Sequence, residues 1–173
     1  MQQLSLCFDK VKKDCLKFIV SQETKADKFK NKDRMIKSFL IPLCFWISKK
    51  AGKKRPYFVG LAGGQGTGKT TISSLIKIIL TKYFKLKVFK ISIDDFYKTR
   101  KERLSLSKRV HPMLLIRGVP GTHDINMMLN FFRNSKSKKF KRLKLPTFNK
   151  AIDDRFNKKK MVRFKEETRC NYF

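Results

Sequence analysis

Apolar positions along this chain follow two periods, and the periods alternate. Val11, Cys15, Phe18 and Ile19 share one helical face within a polar, lysine-rich N-terminal region. "SFLIPLCFWIS", residues 38–48, is the most apolar stretch. It is shorter than the roughly 20 residues of a membrane span and Pro42 interrupts it, so it predicts a helix packed on the domain. "PYFVGLA", 56–62, is uncharged on both faces and predicts a buried parallel strand. In "TTISSLIKIILTKYF", Ile72, Leu75, Ile76, Ile79 and Leu80 form a helical stripe. "LKVFKISI", 86–93, predicts a second strand, with Ile91 and Ile93 turned into the packing and Asp94 starting the loop. Strand, glycine turn, helix and strand make a βαβ unit, whose two strands should be parallel neighbours. Further on, Gly118, Pro120 and Gly121 mark turns. Asp124 or Thr122 then caps a helix with Ile125, Met128, Leu129 and Phe132 on one face, and a basic connector leads to a short strand before Pro146.

Charge changes the range of partners to consider. Lys+Arg 43 against Asp+Glu 13 gives a formal net charge of +30 over 173 residues. Such a balance suits nucleic acid or an anionic membrane, or lysines decorating solvated faces. The basic residues run along the whole chain, which favours solvated faces, with no specific nucleic-acid partner and no membrane partner. The four cysteines contain no CxxC pair and there are two histidines, so a zinc site is not expected. No signal-peptide pattern opens the chain, which implies a cytoplasmic protein with reduced thiols.

Five of the eight glycines fall within "GLAGGQGTGKTT", residues 60–71. Gly63, Gly68, Lys69 and Thr70 satisfy G-x-x-x-x-G-K-[ST]. Consecutive backbone N–H groups can ring a phosphate only where no Cβ intervenes, and the following helix adds unpaired N–H groups and the positive end of its dipole. Gly63, Gly64, Gln65, Gly66, Thr67, Gly68, Lys69, Thr70 and Thr71 are therefore the expected ATP-binding residues, with Lys69 on the outer phosphates and the Thr70 hydroxyl on Mg²⁺. At the end of the second strand, "SIDDFYK" offers Asp94 or Asp95 to accept a hydroxyl proton or to hold Mg²⁺ through water; an Asx cap is the structural alternative. His111, before a proline, reads equally as a turn residue.

"GGQGTGKTT", "SIDDFYKTRKER", "HPMLLIRGVPGTHD" and "LPTFNKAIDDR" resemble, in order and spacing, the signature blocks of the plant-type D-glycerate 3-kinase family. The resemblance runs from about Pro56 to Arg155. That family groups with P-loop kinases related to uridine kinase, phosphoribulokinase and bacterial pantothenate kinase. The resemblance implies an α/β, P-loop NTPase-type three-layer fold with a mainly parallel sheet. It implies Asp94 as catalytic base, Lys69 as catalytic phosphate ligand and Thr70 on the metal, which leaves Asp95 to serve the metal or the loop. It places Arg117, His123, Asp124, Lys150 and Arg155 at the acceptor, with Phe148, Asn149 and Asp153 in the same later block. A small anionic acceptor suits Arg117, Lys150 and Arg155, which are otherwise solvated surface charges.

The family pattern continues beyond "AIDDR" with an apolar strand that ends in an acidic signature. Here "FNKKKMVRFKEETRCNYF" follows instead, with no apolar strand run. The expectation is a C-terminally incomplete member: residues 1–55 a helical segment and basic linker, 56–160 a partial kinase core, and 161–173 an unpatterned tail. The expected activity is transfer of the γ-phosphoryl group of MgATP to a hydroxyl of a small hydroxy acid, glycerate first. Alternatives are a kinase for a pantothenate-like or nucleoside alcohol, or a basic nucleic-acid-binding P-loop ATPase.

Overall fold

In the computed structural model, the described residues are 2–26, 28–51, 56–64, 66–136, 144–156, 162–163 and 170–172. The chain divides into two units, Met1–Lys90 with Arg169–Phe173, and Ile91–Thr168.

The first unit is built from helices packed beside a small sheet. Helix α1, Gln2–Gln22, buries Cys7, Phe8, Val11, Cys15 and Ile19. A second helical run holds α2 (Lys32–Met35), a π-helical turn (Ile36–Leu40) and α3 (Ile41–Lys50). The wide turn sits just before Pro42, which has no N–H to give to the preceding turn. Ile41, Cys44 and Ile47 of α3 are fully buried against α1 and against Leu75, Ile76, Ile79 and Leu80 of α4, Lys69–Lys82. The stripe read from the sequence in α4 is this buried face. Burial pushes the thiols of this core up, Cys7 to about 11, Cys15 to about 12 and Cys44 still further.

Strands β1 (Tyr57–Phe58) and β2 (Lys87–Phe89) flank β7, Cys170–Tyr172, in a parallel sheet of order β1-β7-β2. The expectation that the first two strands are neighbours is therefore corrected: the end of the chain takes the central place. A βαβ crossover fixes direction and handedness, and leaves room for a strand between its two partners. Both strands are also shorter than the apolar runs that announce them. The chain leaves β1 after Phe58, ahead of the glycines. After Lys90 the Ser92 side chain caps a 3₁₀ turn, Ile93–Phe96.

In the second unit, α5 spans Arg100–Arg109, a 3₁₀ turn follows at Pro112–Leu115, and α6 spans Ile125–Lys136. Two antiparallel pairs complete the described part. Lys144–Leu145 (β3) pairs with Val162–Arg163 (β6), and Phe148–Asn149 (β4) with Asp154–Arg155 (β5). The small core is aromatic. Phe96 meets Phe131 and Phe132 at ring distances of 5.8 and 6.3 Å, and Tyr97 meets Phe148 at 5.3 Å. These contacts decide which face of α6 turns inward. Phe131 and Ser135 are buried while Ile125 and Leu129 are exposed, so the expected face of Ile125, Met128, Leu129 and Phe132 is rotated. Among the described residues no helix is long and apolar enough to cross a membrane.

Candidate active site

The glycine turn of the first unit is shaped by backbone. Gly66 and Gly68 sit at φ +79° and +75°, left-handed conformations that glycine adopts without strain. A Cβ at Gly63 would lie 2.9 Å from Thr67 Oγ1, so adding one would displace the Thr67 hydroxyl. Thr67 donates to the Gly64 carbonyl at 2.8 Å, and the Lys69 ammonium folds back onto the same carbonyl. Gly68 precedes α4 with no side-chain cap, leaving the first N–H groups of the helix for an outside acceptor. Thr70 lies exposed in the first turn and Thr71 half-buried beside it. Gln65 lies outside the described residues. An anionic polyphosphate fits this cradle: free N–H groups, one ammonium, and space that a Cβ would fill.

Lys90 was not singled out from the sequence. Its ammonium donates to the Thr70 carbonyl at 3.2 Å and to Ser74 Oγ at 2.6 Å, which fastens the first turn of α4. Burial, then the nearby Lys77, pulls its pKa below the usual lysine value.

The second unit gathers the other predicted residues. Asp94 and Asp95 lie in the 3₁₀ turn rather than at a strand end, and Ile93 points outward at 62% exposure, which corrects the expected packing of that isoleucine. The two carboxylates have different jobs. Asp95 accepts from Ser92 N at 2.9 Å through one oxygen and from Phe148 N at 3.1 Å through the other. It is the cap, tied to β4. Asp94 is half-buried and meets the Lys150 ammonium at 2.6 Å. The Tyr97 hydroxyl bonds to Asp94 as well. Its pKa is raised by burial, then by the Asp94 charge and that bond, with Lys150 and Arg117 opposing.

Arg117 donates from Nη1 to Asp153 at 2.9 Å and to the Lys150 carbonyl at 3.1 Å. Asp153, at φ 53°, also receives Arg103 Nη2 at 2.8 Å. Burial would raise the Asp153 carboxyl, but the bonds from Arg103 and Arg117 outweigh it and hold the group low. His123 stacks on Tyr97 at 4.1 Å, and its Nε2 is buried without a hydrogen-bond partner. Burial lowers its pKa, partly offset by Asp94.

Asp124 and Arg155 bond to each other at 3.1 Å. Asp124 also caps α6, accepting from Met127 N at 2.9 Å, and Arg155 Nε donates to the Tyr97 carbonyl at 2.6 Å. Both are half-buried framework here. His111 likewise caps its own turn, Nδ1 accepting from Met113 N at 3.2 Å.

Arg103 went unnoticed in the sequence. It is fully buried and donates to the carbonyls of Lys98, Leu115 and Asp153 as well as to the Asp153 carboxylate. One arginine among 43 basic residues carries no mark of burial. The available signal was Thr99 with Glu102 three residues later: a capping box that starts α5 and places Arg103 in its first turn. Among the described residues, no cluster of three or more histidines, cysteines or acids is set to hold a metal ion.

No family model matches the chain. It is 33% identical over 99 residues to the uncharacterised kinase mug58 of Schizosaccharomyces pombe, covering 56% of this chain and 35% of that protein. It is 29% identical over 90 residues to a pantothenate kinase of Streptococcus gordonii, covering 51% and 28%. A solved D-glycerate 3-kinase from Cryptococcus neoformans var. grubii superposes with a TM-score of 0.56 at 25% identity, covering 77% of this chain and 49% of that one. The chain thus spans about half or less of the length of these three proteins. Over part of its length the chain is similar to kinases, a pantothenate kinase and a D-glycerate 3-kinase among them.

Proposed function

We propose that this chain carries the nucleotide cradle and acceptor-binding residues of a kinase that transfers the γ-phosphoryl group of MgATP to a hydroxyl of a small hydroxy acid, glycerate first. The observation that carries the reading is the setting of Asp94. Its carboxylate is gripped by Lys150 and Tyr97, and Arg117 acts on the same tyrosine. Arg117 commits only Nη1 to protein acceptors among the described residues, which leaves guanidinium donors for a carboxylate.

Asp94 then takes the proton of the acceptor hydroxyl. Lys150 and Arg117 hold the acceptor's carboxylate, and His123 acts through Tyr97, on which it stacks. Arg155 and Asp124 act by holding Tyr97 and α6 in place. Lys69 and the N–H groups that open α4 hold the phosphates, and MgATP, when bound, supplies the transferable group. The Thr70 hydroxyl would hold Mg²⁺ when MgATP is bound, and the ion would offset charge on the phosphates. Asp95, both of whose oxygens receive backbone donors, serves the turn. A three-layer fold with a mainly parallel sheet, and cytoplasmic residence, belong to the same proposal.

Pantothenate and nucleoside alcohols remain competitors at the acceptor, and no observation favours the nucleic-acid ATPase. The test is ADP release from ATP with glycerate, pantothenate or uridine as acceptor. Glycerate should give the fastest turnover, and Asp94→Asn should slow it by about 10²–10⁴-fold with little change in ATP affinity. Undiminished turnover in Asp94→Asn would remove the base from the scheme. Preference for pantothenate would replace the acceptor and keep the rest.

A further inference from the structure

The face of α3 turned away from the core has no partner among the described residues. Phe39, in the turn that leads into it, is 63% exposed, Leu43 40% and Trp46 51%. On the opposite face Ile41, Cys44 and Ile47 are at 0%, so the helix cannot roll to hide the stripe without emptying the core. Residues Leu43, Trp46 and Lys50 recur at helical spacing, and Lys49 stands beside Trp46 at the rim of a shallow cavity of about 470 Å³ floored by Leu4, Pro42 and Phe45. An apolar stripe thus ends in two exposed lysines.

The charge around it is one-sided. No acidic residue occurs between Asp33 and Asp94, and the chain as a whole carries +30. Two copies meeting on this face would bring like charges together, which disfavours self-association. A nucleic acid would satisfy the lysines, but a phosphate backbone offers nothing to Leu43. A surface that is negative outside and hydrocarbon beneath satisfies both. Tryptophan and phenylalanine suit the headgroup boundary, and lysine stems reach from it towards the phosphates.

We propose that the exposed face of α3 is a docking surface for an anionic lipid bilayer. Phe39, Leu43 and Trp46 enter the headgroup boundary, and Lys49 and Lys50 pair with lipid phosphates. The helix lies on the membrane and does not span it. This site is separate from the kinase reading and reverses the expectation of no membrane partner drawn from spread-out charge.

Trp46 is the chain's one tryptophan, so its fluorescence reads the site directly. Vesicles of phosphatidylcholine with about 30% phosphatidylserine should shift its emission to the blue, and brominated lipids should quench it. Phosphatidylcholine alone should do neither. Phe39→Ser with Leu43→Ser, which leaves the charge unchanged, should weaken partitioning about tenfold or more. Lys49→Gln with Lys50→Gln should weaken it about tenfold, with a smaller salt dependence.

Adsorption without a blue shift would overturn the proposal, since a chain of this charge adheres to any anionic surface. A blue shift that grows with protein concentration and needs no vesicle would assign the face to a second copy. One produced by polyphosphate or RNA as strongly as by vesicles would assign it to a polyanion. Either result also overturns the proposal.

Discussion

The glycine turn and the Asp94 network fix their groups by opposite means. In the turn, shape comes from backbone: left-handed glycines at 66 and 68, one position where a Cβ would displace the Thr67 hydroxyl, and side chains that bond to the local carbonyl of Gly64. In the network, shape comes from side chains of distant residues. Asp153 joins Arg103 to Arg117 across 50 and 36 positions of sequence, and Lys150 reaches Asp94. A backbone device depends on a few local residue types and forms as the helix forms. A side-chain device depends on tertiary packing and fails as a unit when one member is lost.

The largest expected effect tests that last statement. Arg103→Met keeps length and apolar bulk, removes the donors, and leaves three carbonyls and the Asp153 carboxylate without them. The loss should be about 3–5 kcal/mol in urea unfolding of the second unit. A loss below about 1 kcal/mol would mean that water replaces the guanidinium and the network is not a unit. Asp94→Asn, by contrast, should leave stability nearly unchanged, because its pair with Lys150 is exposed on the lysine side at 64%.

Next is Lys69→Ala in the turn. It should weaken ATP binding by about 2–4 kcal/mol by calorimetry, with the unfolding midpoint little changed. Equal affinity for the two forms would remove the phosphate cradle. Smaller again is Gly68→Ala. Nothing lies within 4 Å of the added Cβ, so the whole cost is the left-handed backbone, about 1–2 kcal/mol. Gly60→Ala meets nothing either and has no positive φ, so it should cost nothing. If the two substitutions cost the same, the contrast between a backbone device and ordinary turn glycines collapses.

What the sequence revealed follows the same division. The α4 stripe, the glycine turn before α4, the short strand before Pro146 and the Asp124 cap were legible because each depends on neighbours a few residues apart. The insertion of Cys170–Tyr172 between β1 and β2 was not, because pairing order is a tertiary property and the tail carries no apolar run. The orientation of α6 was missed because Phe96 draws in Phe131, which lies off the face that periodicity formed from Ile125, Met128, Leu129 and Phe132. Within the candidate site, the resemblance assigned roles to Asp94, Lys150 and Arg117, and residue types alone left Asp94 and Asp95 as alternatives. Neither carried a sign that Asp95 would bond to the Phe148 backbone, Arg155 to the Tyr97 backbone, or Asp124 and Arg155 to each other.

The smallest expected effect belongs to His123, which stacks on Tyr97 beside Asp94. Its Nε2 is buried without a partner and burial lowers its pKa below the ordinary 6.5. The unfolded chain therefore binds the proton more tightly than the folded one, and stability rises with pH through this window. The stabilisation should be present above the ordinary histidine value and drain away as pH falls below it. The Asp94 charge opposes the shift, so the slope should be shallow. Asp124 and Asp153 are held below their ordinary 3.8, so their losses begin in a lower pH range and leave the histidine window clear. Urea midpoints between about pH 7.5 and about pH 5.5 should fall slightly for the wild type and stay level for His123→Gln. Replacing Lys150 by Gln leaves the Asp94 carboxylate without its ammonium partner, which should strengthen the pull of Asp94 on the His123 proton and flatten the wild-type slope. A slope that steepens in Lys150→Gln would show that Asp94 does not act on His123, and would detach the histidine from the acceptor network.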